Sequence, residues 1–230
     1  MAQSGKEVSL KYGDMDQWVV RQIHESAIIG GNDKLLYELG PKDTIISTDA
    51  YVNRGGSPWG TSNVLAKVAG IVKTNTSVYP EKRDNGYCAR METKMEKVKV
   101  LGLIDIEVVA AGSIFLGAML EPVKGTKNPQ AMLNYGISFT ERPKALKLDY
   151  KTKLAPEKNR VKSTGLSKKT SYPGQDSIAV ILFLQKRWED ADGNIFAKRV
   201  GTMVQRFTES SNGWVNGATF PIMYGDISNT

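Results

Sequence analysis

Between Ser177 and Phe207 the chain carries a long apolar run, a tight-turn signal and a partner segment. Ser177-Ile-Ala-Val-Ile-Leu-Phe-Leu-Gln-Lys-Arg-Trp188 is nearly continuous in apolar residues and predicts a central strand buried on both faces. Glu189 to Asn194 follows. Its Asp192-Gly193 pair tolerates the positive φ that a hairpin turn needs, and the partner strand is predicted over Ile195 to Phe207. A hairpin of this length commits the surrounding chain to building a sheet.

A second signal lies upstream. Leu146, Leu148, Tyr150, Thr152 and Leu154 alternate with Lys147, Asp149, Lys151 and Lys153, the period-two pattern of a half-buried antiparallel strand over Lys144 to Leu154. Arg142-Pro143 marks its start, because proline cannot donate to a ladder and holds the residue before it extended. Shorter strands are predicted at Lys34 to Leu39, Tyr87 to Lys94, Ile104 to Ala110, Ser113 to Leu120 and Ala218 to Tyr224. Ala155 to Gln175, rich in Lys, Ser, Gly and Pro, reads as a long mobile connection. One stretch reads as helix: Asp16 to Ile28 spaces Val19, Val20, Ile23 and Ala27 at near-helical intervals behind Asp14 or Asp16 as a cap. The expected fold is all-β, a jelly-roll β-sandwich with one minor helix near the N-terminus. A flexible arm over 1–11 precedes a single domain over 12–230.

Composition narrows the chemistry. Cys88 and His24 are the sole cysteine and histidine of 230 residues, which excludes a disulfide framework and a Cys/His zinc cluster. No metal and no cofactor is expected. The net charge of +7 is concentrated between Lys144 and Lys169, where nine Lys or Arg meet two acids. That segment lacks interleaved aromatics, so it reads as a solvated strand face and loop rather than a nucleic-acid site. The Val108 to Leu120 run is too short to span a bilayer. Met1-Ala-Gln-Ser-Gly-Lys shows no secretory pattern, so the chain is either cytoplasmic or written without its leader.

Catalytic constellations are sparse. Asp105 and Glu107, two residues apart on a predicted strand, would project from one face and could flank a glycosidic bond. Leu103-Ile-Asp-Ile-Glu107 resembles the E-x-D-x-E signature of retaining glucanases, but Leu103 stands where the nucleophilic carboxylate is needed. Asp190, Asp192 and Asn194 imitate the start of a calcium loop, yet Ile195 and Gly201 occupy the positions of its glycine and bidentate glutamate. No serine or cysteine motif surrounds His24, and Gly30-Gly31 and Gly55-Gly56 read as turns rather than phosphate loops.

What remains are aromatics beside polar groups near loops: Tyr51 to Asn63, with Trp59 and Asn63, then Trp188 at a strand end and Trp214 in a Gly and Asn turn. An exposed tryptophan can stack on the C–H face of a sugar, while Asn and Arg supply planar hydrogen-bonding groups for its hydroxyls. Trp59, Asn63, Arg142 and Trp188 are the candidate sugar-binding residues.

Several stretches together resemble one family. Asn134 to Lys153, with Arg142-Pro143 inside it, resembles the signature of the putative carbohydrate metabolism domain family, PCMD, of Bacteroides-type bacteria. Met15-Asp-Gln-Trp18, Pro58-Trp-Gly-Thr-Ser-Asn63, Cys88-Ala-Arg-Met-Glu-Thr-Lys94 and Ala111-Gly-Ser-Ile-Phe-Leu-Gly117 match its other segments in order. The resemblance implies a jelly roll similar to carbohydrate-binding modules, exported to the periplasm or cell surface and serving polysaccharide utilisation. It transfers no catalytic residue, since fold alone confers no activity. It also implies about two further strands after Ala218 to Tyr224; without them a sheet edge stays open to a partner strand. The expected role is non-catalytic glycan recognition, with a glycoside hydrolase using an unrecognised carboxylate pair, or an assembly protein using that edge, as alternatives.

Overall fold

The computed structural model describes residues 6–100, 104–124, 132–157, 159–163 and 169–225, and these are all-β apart from one three-residue 3-10 turn at Ala27–Ile29. They fall into two compact units, Met1–Ser138 with Lys162–Thr170, and Phe139–Val161 with Ser171–Thr230. Among the described residues, no helix is long and apolar enough to cross a membrane.

In the first unit, β1 (Trp18–His24) pairs antiparallel with β2 (Asp33–Leu39) from Trp18 opposite Leu39 to His24 opposite Asp33. It pairs parallel with β3 (Asp43–Ile46) on its other side. The helix expected over Asp16 to Ile28 is therefore a strand. Besides Trp18 at its start, Val19, Arg21, Ile23 and, just past the strand, Glu25 are buried at period two. Two of those four inward positions carry charge, so the alternation is disguised and the remaining apolar residues fall at helix-like intervals.

Short strands follow: β4 (Trp59–Thr61), β5 (Val64–Val68), β6 (Ile71–Asn75), β7 (Val78–Arg83), β8 (Gly86–Met91), β9 (Lys94–Val100), β10 (Ile104–Ala110), β11 (Ile114–Met119) and β12 (Leu133–Tyr135). They pair as the antiparallel hairpins β5–β6, β7–β8 and β9–β10, with β11 between β4 and β12. Two apolar clusters anchor the unit. Ile23, Leu36, Leu65 and Val72 form one; Trp18, Leu39 and Val78 form the other, with Tyr37, Trp59 and Ile114 packed against it.

The second unit is built on the strands that read most clearly. β13 (Ala145–Tyr150) pairs with β18 (Val215–Pro221), and β17 (Ile195–Phe207) lies between β16 (Ile178–Glu189) and β19 (Met223–Tyr224). Tyr150, Phe207 and Phe220 bring the two ladders together, with Tyr150 and Phe207 centroids 4.5 Å apart. Between β13 and β16 in sequence, β14 (Asn159–Ser163) and β15 (Lys169–Pro173) form a two-stranded ladder inside the stretch expected to be a mobile connection, with Lys162–Thr170 counted in the first unit. Thr and Tyr along β15 make it a competent strand despite the flanking Gly and Pro.

β16 also departs from expectation, because it is buried on one face rather than two. Val180, Leu182 and Leu184 are half-buried, whereas Ile181 and Phe183 point outward. The Arg199 guanidinium lies 3.7 Å from the Phe183 ring centroid and covers part of that outward face.

Candidate functional site

The β16–β17 hairpin runs in register from Ile178 opposite Phe207 to Glu189 opposite Ile195, with one shift between Leu184 and Gln185. Its turn is closed by a single carboxylate. Asp190 accepts from the backbone N–H of Asp192 at 3.0 Å and of Asn194 at 2.8 Å, and from Asn194 Nδ2 at 3.0 Å. These bonds, led by those from Asn194, hold the Asp190 carboxyl below the usual carboxylate range. The apparent calcium-loop residues are thus turn-forming residues.

The turn sets what the hairpin displays. Trp188 stands opposite Phe196, the rings 5.6 Å apart at centroid and 14° from parallel. They remain 45% and 44% exposed. Such a pair stabilises the tip by about 0.5–1.5 kcal/mol and still leaves aromatic surface facing water. Trp188 and Phe196 lie on the same strand face as Leu182 and Leu184, which turn toward the interior, so the apolar face of the hairpin emerges into solvent at its tip. Lys186 opposite Lys198 is the next pair on that face.

The other candidates are placed differently. Arg142 lies over the Tyr224 ring at 4.4 Å, and the Tyr224 hydroxyl donates to the Pro143 carbonyl at 2.6 Å. Arginine and proline together pin the start of β13 to β19. In the first unit, Trp59 is half-buried against Trp18, Leu39 and Val78, and its indole N–H donates to the Lys11 carbonyl at 2.9 Å. Asn63 is 1% exposed. Its Nδ2 donates to the carbonyls of Tyr37 at 2.7 Å and Val78 at 2.9 Å, and its Oδ1 accepts from the N–H groups of Ser77 and Val78, both at 2.9 Å. All four hydrogen-bonding positions of that amide are occupied by backbone. Glu107 meets Lys97 across the β9–β10 ladder at 3.4 Å, and Asp105 stands opposite Lys99 in the register; the Asp105 side chain and Leu103 lie outside the described residues.

Two features of the first unit carry no sequence motif. One is an open cleft of about 290 Å3, where Tyr37 and Tyr79, 6.1 Å apart, sit among Lys34, Lys73 and Lys94. Its carboxylates are engaged: Asp33 with His24 Nδ1 at 2.9 Å and Glu96 with Lys94 at 2.9 Å. Burial alone would lower the Lys94 pKa, but Glu96 outweighs it and the ammonium is stabilised.

The other is a buried ion cluster. Arg21 contacts Glu38 Oε1 at 3.1 Å and Glu121 Oε2 at 2.7 Å, while Glu121 also accepts from the N–H groups of Leu65 and Tyr51. Burial, aided by the Glu121 charge, pushes the Glu38 carboxyl up to about 7 against the pull of Arg21. Each of its four carboxylate oxygens accepts an internal hydrogen bond, so this buried cluster ties β1, β2, β5 and the Asp49–Tyr51 loop together and is closed to a substrate.

The hairpin tip, Arg142 and Trp59 all fall inside residues 40–212, the span matched by the family model described as a putative carbohydrate metabolism domain. No curated protein and no solved structure matches the chain. The matched span covers well over half of the sequence, and the chain belongs to the putative carbohydrate metabolism domain family.

Proposed function

We propose that this protein recognises a glycan without cleaving it, and that Trp188 with Phe196 forms the surface on which a sugar ring stacks. The family gives the chain a carbohydrate-related role. The observation that carries the finer reading is the aromatic pair itself, stacked, solvent-facing and held at the tip of a hairpin whose turn is fixed by Asp190. Carbohydrate C–H faces pack on such rings, and a rigid platform lowers the ordering cost of binding. A jelly-roll relative of carbohydrate-binding modules, exported to the bacterial surface and serving polysaccharide utilisation, is the setting this role fits.

The test is a glycan array probed with the purified protein and with Trp188→Ala. Binding that is lost in the variant, with the fold retained, supports the reading. Binding that is unaffected moves the site elsewhere, first to the cleft between Tyr37 and Tyr79. That cleft favours a second reading, hydrolysis, because Asp33 and Glu96 both line it. Release of reducing ends from a bound glycan, abolished by Glu96→Gln, would establish hydrolysis. If no glycan binds at all, an assembly role through β16, which is paired on one side only among the described residues, becomes the better reading.

A further inference from the structure

We infer that the hairpin tip selects an acidic polysaccharide, its carboxylate held by Lys186 and Lys198 while a sugar ring stacks on Trp188 and Phe196. This rests on the reading of that pair as a sugar platform. The two lysines face each other directly in the ladder, on the same face as the aromatic pair and one step toward the core. No register shift separates the two pairs.

Residues directly opposite in an antiparallel ladder have Cβ atoms about 4.5–5.5 Å apart, and like charges placed so repel. Nothing on the hairpin compensates them. Glu189 alternates onto the opposite face, and the Asp190 carboxylate is spent on the turn. No ion pair joins either lysine to a carboxylate among the described residues, and both side chains are exposed.

A carboxylate placed between the two ammonium groups would convert their repulsion into a two-donor contact. Two residues along a strand span about 6.6 Å, so stack and charge contact are spaced for one acidic sugar or two adjoining units of a chain. A neutral polymer would use the aromatic pair and leave the opposed lysines without a role.

The experiment measures affinity for acidic polymers, polygalacturonate, alginate and hyaluronan, against methyl-esterified galacturonan and neutral glucans, at 0.05 and 0.5 M NaCl. The wild type is expected to bind at least one acidic polymer tenfold or more tightly than the neutral set, with the preference largely lost at high salt. Lys186→Gln/Lys198→Gln should remove the preference, and Lys186→Arg/Lys198→Arg should keep it. Equal binding of acidic and neutral polymers, abolished by Trp188→Ala, overturns the charge selection and leaves the platform standing. Binding to neutral polymers alone does the same. Binding to none of them, on the array or here, overturns both. Retained acid preference in the Gln double variant overturns the assignment to these lysines.

Discussion

Arg21 and Glu38 meet at 3.1 Å inside the first unit, and the nitrogen that makes this contact also reaches Glu121 Oε1 at 3.2 Å. One guanidinium thus serves two buried carboxylates, and the cluster carries an excess negative charge when both are ionised. Glu38 relieves this by taking a proton at about pH 7.

The sign of the resulting pH dependence follows. The folded chain holds this proton where the unfolded chain has released it, so the stabilisation is complete below 4.5 and lost as pH rises through about 7. Urea unfolding should show stability falling by up to about 3 kcal/mol from this group between the two pKa values. Glu38→Gln should flatten that slope. An unchanged slope in the variant would assign the pH dependence to other groups.

Asn63→Ala should destabilise the first unit by roughly 2–4 kcal/mol, because it leaves two buried N–H groups and two carbonyls without their partner. Calorimetry checks this. Glycan affinity measured below the transition should stay at the wild-type value, since this side chain offers nothing to a ligand.

Gly117→Ala should cost about 2 kcal/mol or more. Gly117 has φ +135°, and a Cβ there would lie 2.1 Å from the Asn134 carbonyl oxygen in the β11–β12 ladder. A variant with wild-type thermal stability would show that the two strands are not this close.

Asp190→Ala removes three of the bonds that close the hairpin turn. The expected result is a several-fold weaker glycan affinity with little change in global melting temperature, read by binding titration beside thermal unfolding. The effect acts through the placement of Trp188, so pairing Asp190→Ala with Trp188→Ala should add little further loss.

The parts of this fold that read clearly from sequence are those in which apolar pattern and turn chemistry agree. The Asp192-Gly193 turn and the alternation from Leu146 to Leu154 place β13, β16 and β17 within a few residues. The register of the hairpin is fixed by the same turn, so the pairings of Trp188 with Phe196 and Lys186 with Lys198 were in principle legible, though only Trp188 stood out by residue type. β1 is hidden because Arg21 and Glu25 face inward, and no sequence pattern announces that Glu38 and Glu121, 83 positions apart, will meet on Arg21. Asn63 looked like a ligand contact for the opposite reason. Its amide is versatile enough to satisfy sugar hydroxyls or a buried loop backbone, and here the backbone takes all of it.

The decisive measurement is a calorimetric titration of the array-selected glycan into wild-type protein and Trp188→Ala, both verified as folded. Stacking on this ring predicts saturable binding by the wild type and at least a tenfold loss of affinity in the variant, about 1.4 kcal/mol or more. Equal affinity in the two proteins would contradict it and remove the hairpin tip as the site of carbohydrate recognition.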